Sequence, residues 1–419
     1  MQNQLRIACF TQNYPPLADS EAYVTAKWVD AMREAGYDVV VFHGSSRPIG
    51  HVNPARLIWT VIRHFWQINR LRTLELAQVD RLHPFVEGSI RRFLEEHQTK
   101  PFHLLVSRYE PIGSAMTAYW CKNISQLPWI ASYNDPLPRV FTPRRGLAGY
   151  LDRHRNNFQR RWTKDLLCTP DALIFPCEQL RRHVLDLAYP DKNLRYVLPT
   201  QVVIPHIGGG GSSSPHSSTP PRLSKAIPIL RHIGYLSAAR STSTLLEALR
   251  NWDTSAACGP LKVEFIGRAV GQDKLLAACQ PGSFAKVEIA VRPEVSQSEA
   301  IKMMKEATGA ILIESPSKES IFLPSKFCDY AASGCPILAI TAQDSEVARY
   351  IRECGGGIAA AHGDAQAILA GLHEIVSGDL EASPILASRF SPSKITQQWA
   401  AILDEVLSRS QQNCSMGMS

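Results

Sequence analysis

The stretch PSKFCDYAASGCPILAI, residues 324–340, gathers side chains able to do chemistry together. Lys326 is a cation, Asp329 a carboxylate three residues on, and Cys328 and Cys335 are two thiols seven residues apart. Paired thiols invite a zinc or redox reading. Such sites need further Cys or His ligands at short spacing, and none stands nearby. The ten Cys of the chain are scattered singly with no CxxC, which is the usage of reduced thiols. Cys328 therefore reads as a helix-packing residue, and Cys335 as a small residue in the turn before a strand.

Lys326 and Asp329 fit a different chemistry. A helix beginning near Ser325, with Ser325 as its N-cap, puts both side chains on one face. The helix dipole disfavours a lysine in the first turn, and a bound phosphate would offset that. The carboxylate beside it can accept hydrogen bonds from the vicinal hydroxyls of a ribose. Cation and acceptor together suit a nucleoside diphosphate. An ordinary i,i+3 surface ion pair has the same spacing. HIGYLSAARSTSTLLEAL offers a second anion site, with Gly234 ending a strand, Ser237 to Arg240 forming the turn and a helix following. The plainer reading is that Ser237 caps this helix and Arg240 faces solvent. The run GGGGSSSPHSSTPPRLSK lacks the GK[ST] ending of a phosphate loop and reads as a flexible linker.

These residues need a scaffold. LRIACF, EAYVTAKWVDAMREAG and YDVVVF read as strand, helix and strand, the start of a parallel doubly wound sheet. FHLLVSR, PWIASYN and DALIFP continue it. After the linker the pattern restarts with ILRHIGYL, LKVEFIG, VEIAV, GAILIE and PILAI as strands between helical segments. The expected fold class is α/β, with two Rossmann-like domains and a ligand-binding cleft between them. The expected boundaries are residues 1–205, a linker or loop at 206–226, a second domain at 227–395, a C-terminal helix at 396–412 returning to the first domain, and a tail at 413–419. A chain of 419 residues is too long for one core in any case.

Charge divides the same way. Residues 1–205 carry 26 Lys+Arg against 18 Asp+Glu, and residues 206–419 carry 19 against 20. A basic first half fits an anionic partner or a solvated basic surface. No basic-aromatic nucleic-acid module supports a nucleic-acid partner. RLIWTVIRHFWQINRLRTLEL, from Arg56 to Leu76, mixes Trp59, Phe65 and Trp66 with arginines. Such a helix can lie on a membrane interface or pack its aromatics inward. No apolar run is long enough to span a bilayer, and IACF follows the first residues without a basic leader, so neither a spanning helix nor a signal peptide is expected.

In this order of elements the sequence resembles a GT-B glycosyltransferase of the family-four type (glycosyl transferases group 1) over almost its whole length. YPPLADSEAYVTAKWVDAMREAGYDVVVF, HIGYLSAARSTSTLLEAL, VEFIG and LPSKFCDYAASGCPILA carry the resemblance. The last is similar to the family pattern P-S-K-x-x-E-Y-x-A-x-G-x-P-V/I. The resemblance implies that Asp329 takes the place of the Glu that binds the donor ribose. It puts Arg240 in the place of a Lys on the donor diphosphate, and Tyr235 where many members have an Arg. The acidic residue normally eight positions before the ribose carboxylate falls on Ile321, which leaves Glu319 as a substitute. The loop after YPP reads Leu17, Ala18, Asp19 where members have Gly-Gly. Tyr14 and Asp19, with Glu110 of SRYEPIGSA, are implied on the acceptor side. IASYNDPLPRVF is similar to a segment with an Asp-Pro pair after a strand, which makes Asp135 the catalytic candidate. An Asp capping a turn before Pro136 is the alternative.

The implied function is transfer of a sugar from a nucleotide-diphosphate sugar to a hydroxyl of a glycan or lipid-linked acceptor, with retention. The donor-binding set is Gly234, Ser237, Arg240, Glu319, Ser325, Lys326 and Asp329. No cofactor and no metal is expected, since no DxD occurs. The implied location is cytoplasmic, with peripheral contact at the inner membrane face. A degenerate GT-B protein that binds a nucleotide sugar or a partner without catalysis is the alternative left open by the altered loop and broken E-x7-E. An epimerase of the same fold fits less well, given the linker and the missing His/Glu pattern.

Overall fold

The computed structural model describes residues 4–16, 20–44, 75–109, 112–136, 146–189, 198–209, 227–316 and 320–416. Most of the basic aromatic segment at 56–76, and residues 210–226 of the linker expected at 206–226, lie outside them. The chain folds as two units, Met1–Ile204 with Thr396–Ser419, and Pro205–Ile395.

In the first unit the strands are β1 (Arg6–Thr11), β2 (Asp38–His43), β3 (Leu104–Tyr109), β4 (Trp129–Tyr133), β5 (Ala172–Phe175) and β6 (Thr200–Val203). Between them run α1 (Ser20–Glu34), α2 (Glu75–Thr99), α3 (Gly113–Ser125), α4 (Gly146–Cys168) and α5 (Glu178–Ala188). The parallel sheet has the order β2-β1-β3-β4-β5-β6. β1, β4 and β5 are buried along their whole length, as strands covered by helices on both faces must be. Arg108 near the end of β3 is buried, with its guanidinium 5.6 Å from the Trp28 ring and 5.8 Å from the Trp399 ring. It donates to Ser132 Oγ at 3.1 Å. The two indoles themselves lie 4.9 Å apart, so the residues from Thr396 onward complete this core.

The second unit has β7 (Ile229–Ile233), β8 (Leu261–Ile266), β9 (Val287–Arg292), β10 (Gly309–Ile313), β11 (Ile337–Ile340) and β12 (Gly357–Ala360). Its helices are α6 (Ser243–Thr254), α7 (Asp273–Ala278), α8 (Gln297–Glu306), α9 (Ser325–Ala332), α10 (Glu346–Cys354), α11 (Ala365–Ser377) and α12 (Pro384–Arg389). α13 (Pro392–Met416) begins here and continues into the first unit's residues. The sheet order is β12-β11-β10-β7-β8-β9, all parallel. The chain runs outward from β7 through β8 and β9, then returns to β10 on the other side. β7 and β10 are therefore the topological switch point, where open α/β sheets bind ligands at the carboxyl ends of their strands.

The backbone is built open at that place. The β7–β10 ladder consists of two pairs, Leu230 with Gly309 and Arg231 with Ala310. Beyond them His232 puts its Nδ1 3.0 Å from the Ile311 carbonyl, where a backbone amide would otherwise pair. Tyr330 of α9 then accepts the Ile233 amide on its hydroxyl at 2.8 Å. Side chains thus satisfy the buried strand ends while the strands diverge. Among the described residues no helix is long and apolar enough to cross a membrane.

Candidate functional site

β7 ends at Gly234, which turns with φ of +112° and donates its N–H to the Ile266 carbonyl at 2.7 Å. A Cβ there would stand 2.6 Å from Lys326 Cε, so the lysine chain lies directly on glycine backbone. Lys326 Nζ donates to the Tyr235 carbonyl at 3.0 Å, and Arg240 Nη1 donates to the same oxygen at 2.9 Å. Neither cation forms an ion pair among the described residues. Burial, and then the Arg240 charge, push the Lys326 ammonium down to about 7. Two cations sharing one neutral carbonyl have donor capacity left with which to receive an anion.

The loop between β7 and α6 holds Arg240 in place. The Arg240 amide donates to the Ser237 carbonyl at 2.9 Å, and Gln272 Nε2 donates to the carbonyls of Ser237 and Arg240 at 2.8 and 2.9 Å. α6 starts only at Ser243, with Thr242 at its N-cap. Ser237 is therefore no helix cap, and it contributes its carbonyl to the loop. Ser325 also differs from expectation: it is the first residue of α9, and Pro324 occupies the N-cap without a side-chain bond. Pro324 is extended and its carbonyl receives the Phe327 amide at 3.0 Å, so the proline sets the helix start.

Asp329, one turn after Lys326, accepts the Gly209 amide on Oδ1 at 2.9 Å. Cys328 and Cys335 are buried, and burial pushes the Cys335 thiol up to about 12, which suits packing and opposes thiolate chemistry. No group of three His, Cys, Asp or Glu among the described residues could hold a metal ion.

Sequence reasoning missed two titratable groups here. Glu314 follows β10 directly and is buried. It accepts from Ser320 Oγ at 2.9 Å and from the Thr341 hydroxyl. Burial raises its carboxyl pKa, while those two hydroxyls and the Arg240 charge oppose the rise. An acid immediately after an apolar strand, in GAILIE, was the available signal. His232 is buried under the site. Burial, then the Lys326 charge, holds it well below its ordinary value, so it is a neutral imidazole with Nδ1–H toward Ile311. A histidine inside an apolar strand gave no such signal.

Of the first-unit candidates, Asp19 and Glu110 lie outside the described residues, as does Glu319 of the second. Tyr14 stacks on His43 with 5.5 Å between ring centroids, and burial raises its hydroxyl pKa. Asp135 is half-buried in the bend after β4, next to Asn134, whose side chain donates to Glu21 Oε2 at 2.6 Å. Tyr235 turns its carbonyl to the cations and exposes its ring, over which the Arg268 guanidinium lies at 5.5 Å.

Two Rossmann-like units, each a six-stranded parallel sheet with helices between its strands, define the GT-B class. Solved structures share the fold. Sucrose-phosphate synthase from Thermosynechococcus elongatus is 14% identical with a TM-score of 0.64, covering 97% of this chain and all (100%) of that one. Anabaena HepE, solved in complex with UDP-glucose, is 14% identical with a TM-score of 0.57, covering 96% of this chain and 100% of that one. The lipopolysaccharide outer core galactosyltransferase WaaB is 10% identical with a TM-score of 0.55, covering 96% and 100%. No curated protein sequence matches the chain. Residues 21–200 match the profile of the glycosyl transferase 4-like domain. The chain is thus similar to the glycosyl transferase 4-like domain over residues 21–200, and it shares the GT-B fold of these structures.

Proposed function

We propose that the chain transfers a sugar from a nucleotide-diphosphate sugar to a hydroxyl of a glycan, lipid-linked or other acceptor, with retention and without a divalent metal. The observation that carries the donor reading is the convergence of Arg240 and Lys326 on the Tyr235 carbonyl at the β7–β10 switch point. On donor binding both cations exchange that single carbonyl for the diphosphate, which meets two charges where other sites use a metal ion. Asp329 accepts from the ribose hydroxyls. The anomeric C–O bond breaks with its electron pair on the leaving phosphate oxygen, and the sugar gains oxocarbenium character. The acceptor oxygen bonds to the same face, and its proton passes to the departing phosphate. Asp135 serves the acceptor side with Tyr14, Asp19 and Glu110, at the cytoplasmic membrane face.

UDP-glucose, the ligand in the HepE structure, is the first donor to try, followed by other UDP-, GDP- and dTDP-sugars. Thermal stabilisation by a nucleotide sugar, with transfer that persists in EDTA, is the expected result. Asp329→Ala should markedly weaken the stabilisation while circular dichroism stays unchanged. Undiminished stabilisation removes Asp329 from the site, and no response to any nucleotide sugar sinks the donor reading.

A further inference from the structure

The chain enters the second unit as Pro205, His206, Ile207, Gly208, Gly209, and this strap is packed and not loose. His206 and Ile207 are buried. The Gly208 amide donates to the Phe390 carbonyl at 2.9 Å. Phe390 in turn packs on Phe327 of α9 and Tyr350 of α10, with ring centroids 5.7 and 5.1 Å away. The next amide, of Gly209, donates to Asp329 Oδ1 at 2.9 Å. Two consecutive amides therefore tie the strap down, one to the end of α12 and the next to Asp329 of α9.

The approach is so close that it requires glycine. A Cβ on Gly208 would stand 2.2 Å from the Cys328 carbonyl oxygen and 2.9 Å from Ala332 Cβ. Gly209 takes φ of +78°, which aims its N–H at the carboxylate and suits no other residue well. An aspartate side chain has a rotatable carboxylate on one methylene. A backbone amide bonded to one oxygen fixes that rotamer, and the carboxylate keeps acceptor capacity beyond it.

We propose that residues 205–209 are the positioning element of the donor site: Gly208 sets the strap against α9, and Gly209 holds the Asp329 carboxylate in the orientation that reads the ribose. This rests on the donor role given to Asp329 above. Gly208 and Gly209 touch no ligand and act through Asp329.

The test uses the full chain and isothermal titration with UDP, 2′-deoxy-UDP and inorganic pyrophosphate (GDP and 2′-deoxy-GDP if guanine is preferred). Gly208→Ala should weaken UDP about tenfold, the loss of one charge-assisted hydrogen bond, and leave pyrophosphate unchanged. It should also erase the preference for UDP over 2′-deoxy-UDP. In an Asp329→Ala background Gly208→Ala should add nothing. Equal weakening of UDP and pyrophosphate, or full additivity with Asp329→Ala, overturns the strap's role. Should Gly208→Ala fail to fold, Gly209→Ala has space for its Cβ, with Ala332 Cβ at 3.6 Å, and strains only the backbone, so the same pattern is expected of it. A parent protein that binds pyrophosphate but no nucleoside diphosphate overturns the donor reading, and the strap's role falls with it.

Discussion

Donor affinity should fall as pH rises through neutrality, because Lys326 must be charged in the complex and loses its proton early in the empty site. Burial and then Arg240 push the free ammonium down to about 7. A diphosphate between the two cations favours the charged form and returns the lysine toward its ordinary value, about 10.4. A group whose pKa is higher in the complex contributes affinity that is whole below the free pKa and is lost above it. Between about pH 6.5 and pH 8.5 this linkage weakens binding about 25-fold, or ~2 kcal/mol. A nucleotide sugar is the right probe, since both of its phosphates are diesters and keep one charge each across the range. His232 is held well below its ordinary value and adds no slope. Burial raises the Glu314 carboxyl, so its deprotonation would weaken anion binding in the same direction, and the Lys326→Ala variant separates the two groups. Calorimetry with UDP-glucose at constant ionic strength should show the slope in the parent, a flat line in Lys326→Arg and a weak flat line in Lys326→Ala. A flat parent profile, or a slope that survives in Lys326→Ala, would refute the reasoning.

Gly234→Ala should cost about 1–3 kcal/mol, because φ of +112° strains an L-residue, and should also displace Lys326, whose Cε would lie 2.6 Å from the new methyl. Urea unfolding measures the first effect and nucleotide-sugar titration the second, and parent-like affinity would show that Lys326 does not need this backbone contact. Glu264→Gln probes the other face of the same sheet. Glu264 is buried and bonds Arg231 at 2.8 Å and Arg292 at 2.6 Å. Burial alone would raise its carboxyl, but the hydrogen bond from Arg231 and the charges of Arg231, Arg292 and Lys262 hold it below the usual range. Its stabilising effect is thus present above the unfolded carboxylate pKa and fades as pH falls through the folded one. The substitution should lower unfolding free energy by about 3 kcal/mol at neutral pH and leave donor affinity intact. Undiminished stability would mean the network is solvent-screened.

Part of the candidate site was legible before folding. Lys326 and Asp329 stand three apart on a periodic helix, and Gly234 and Arg240 bracket a strand-to-helix turn, so local spacing marked them. Glu314 and His232 were not legible, because nothing local distinguishes a strand-end acid or a strand histidine from its structural equivalents. Their significance comes from β10 lying beside β7, which are 80 residues apart at their first residues.

Hydrophobic runs of strand length alternating with periodic helices were enough, by themselves, to determine two parallel α/β sheets, because each strand must be covered on both faces. The cysteines' packing role followed from their isolation. Only the tertiary structure decided that α9 begins on Pro324, that Lys326 and Arg240 meet on one carbonyl, and that the glycines at 208 and 209 lie against α9. The last two facts depend on contacts between residues 91 to 124 positions apart, Tyr235 with Lys326 and Gly208 with Ala332, where periodicity carries no information and backbone approach distance does.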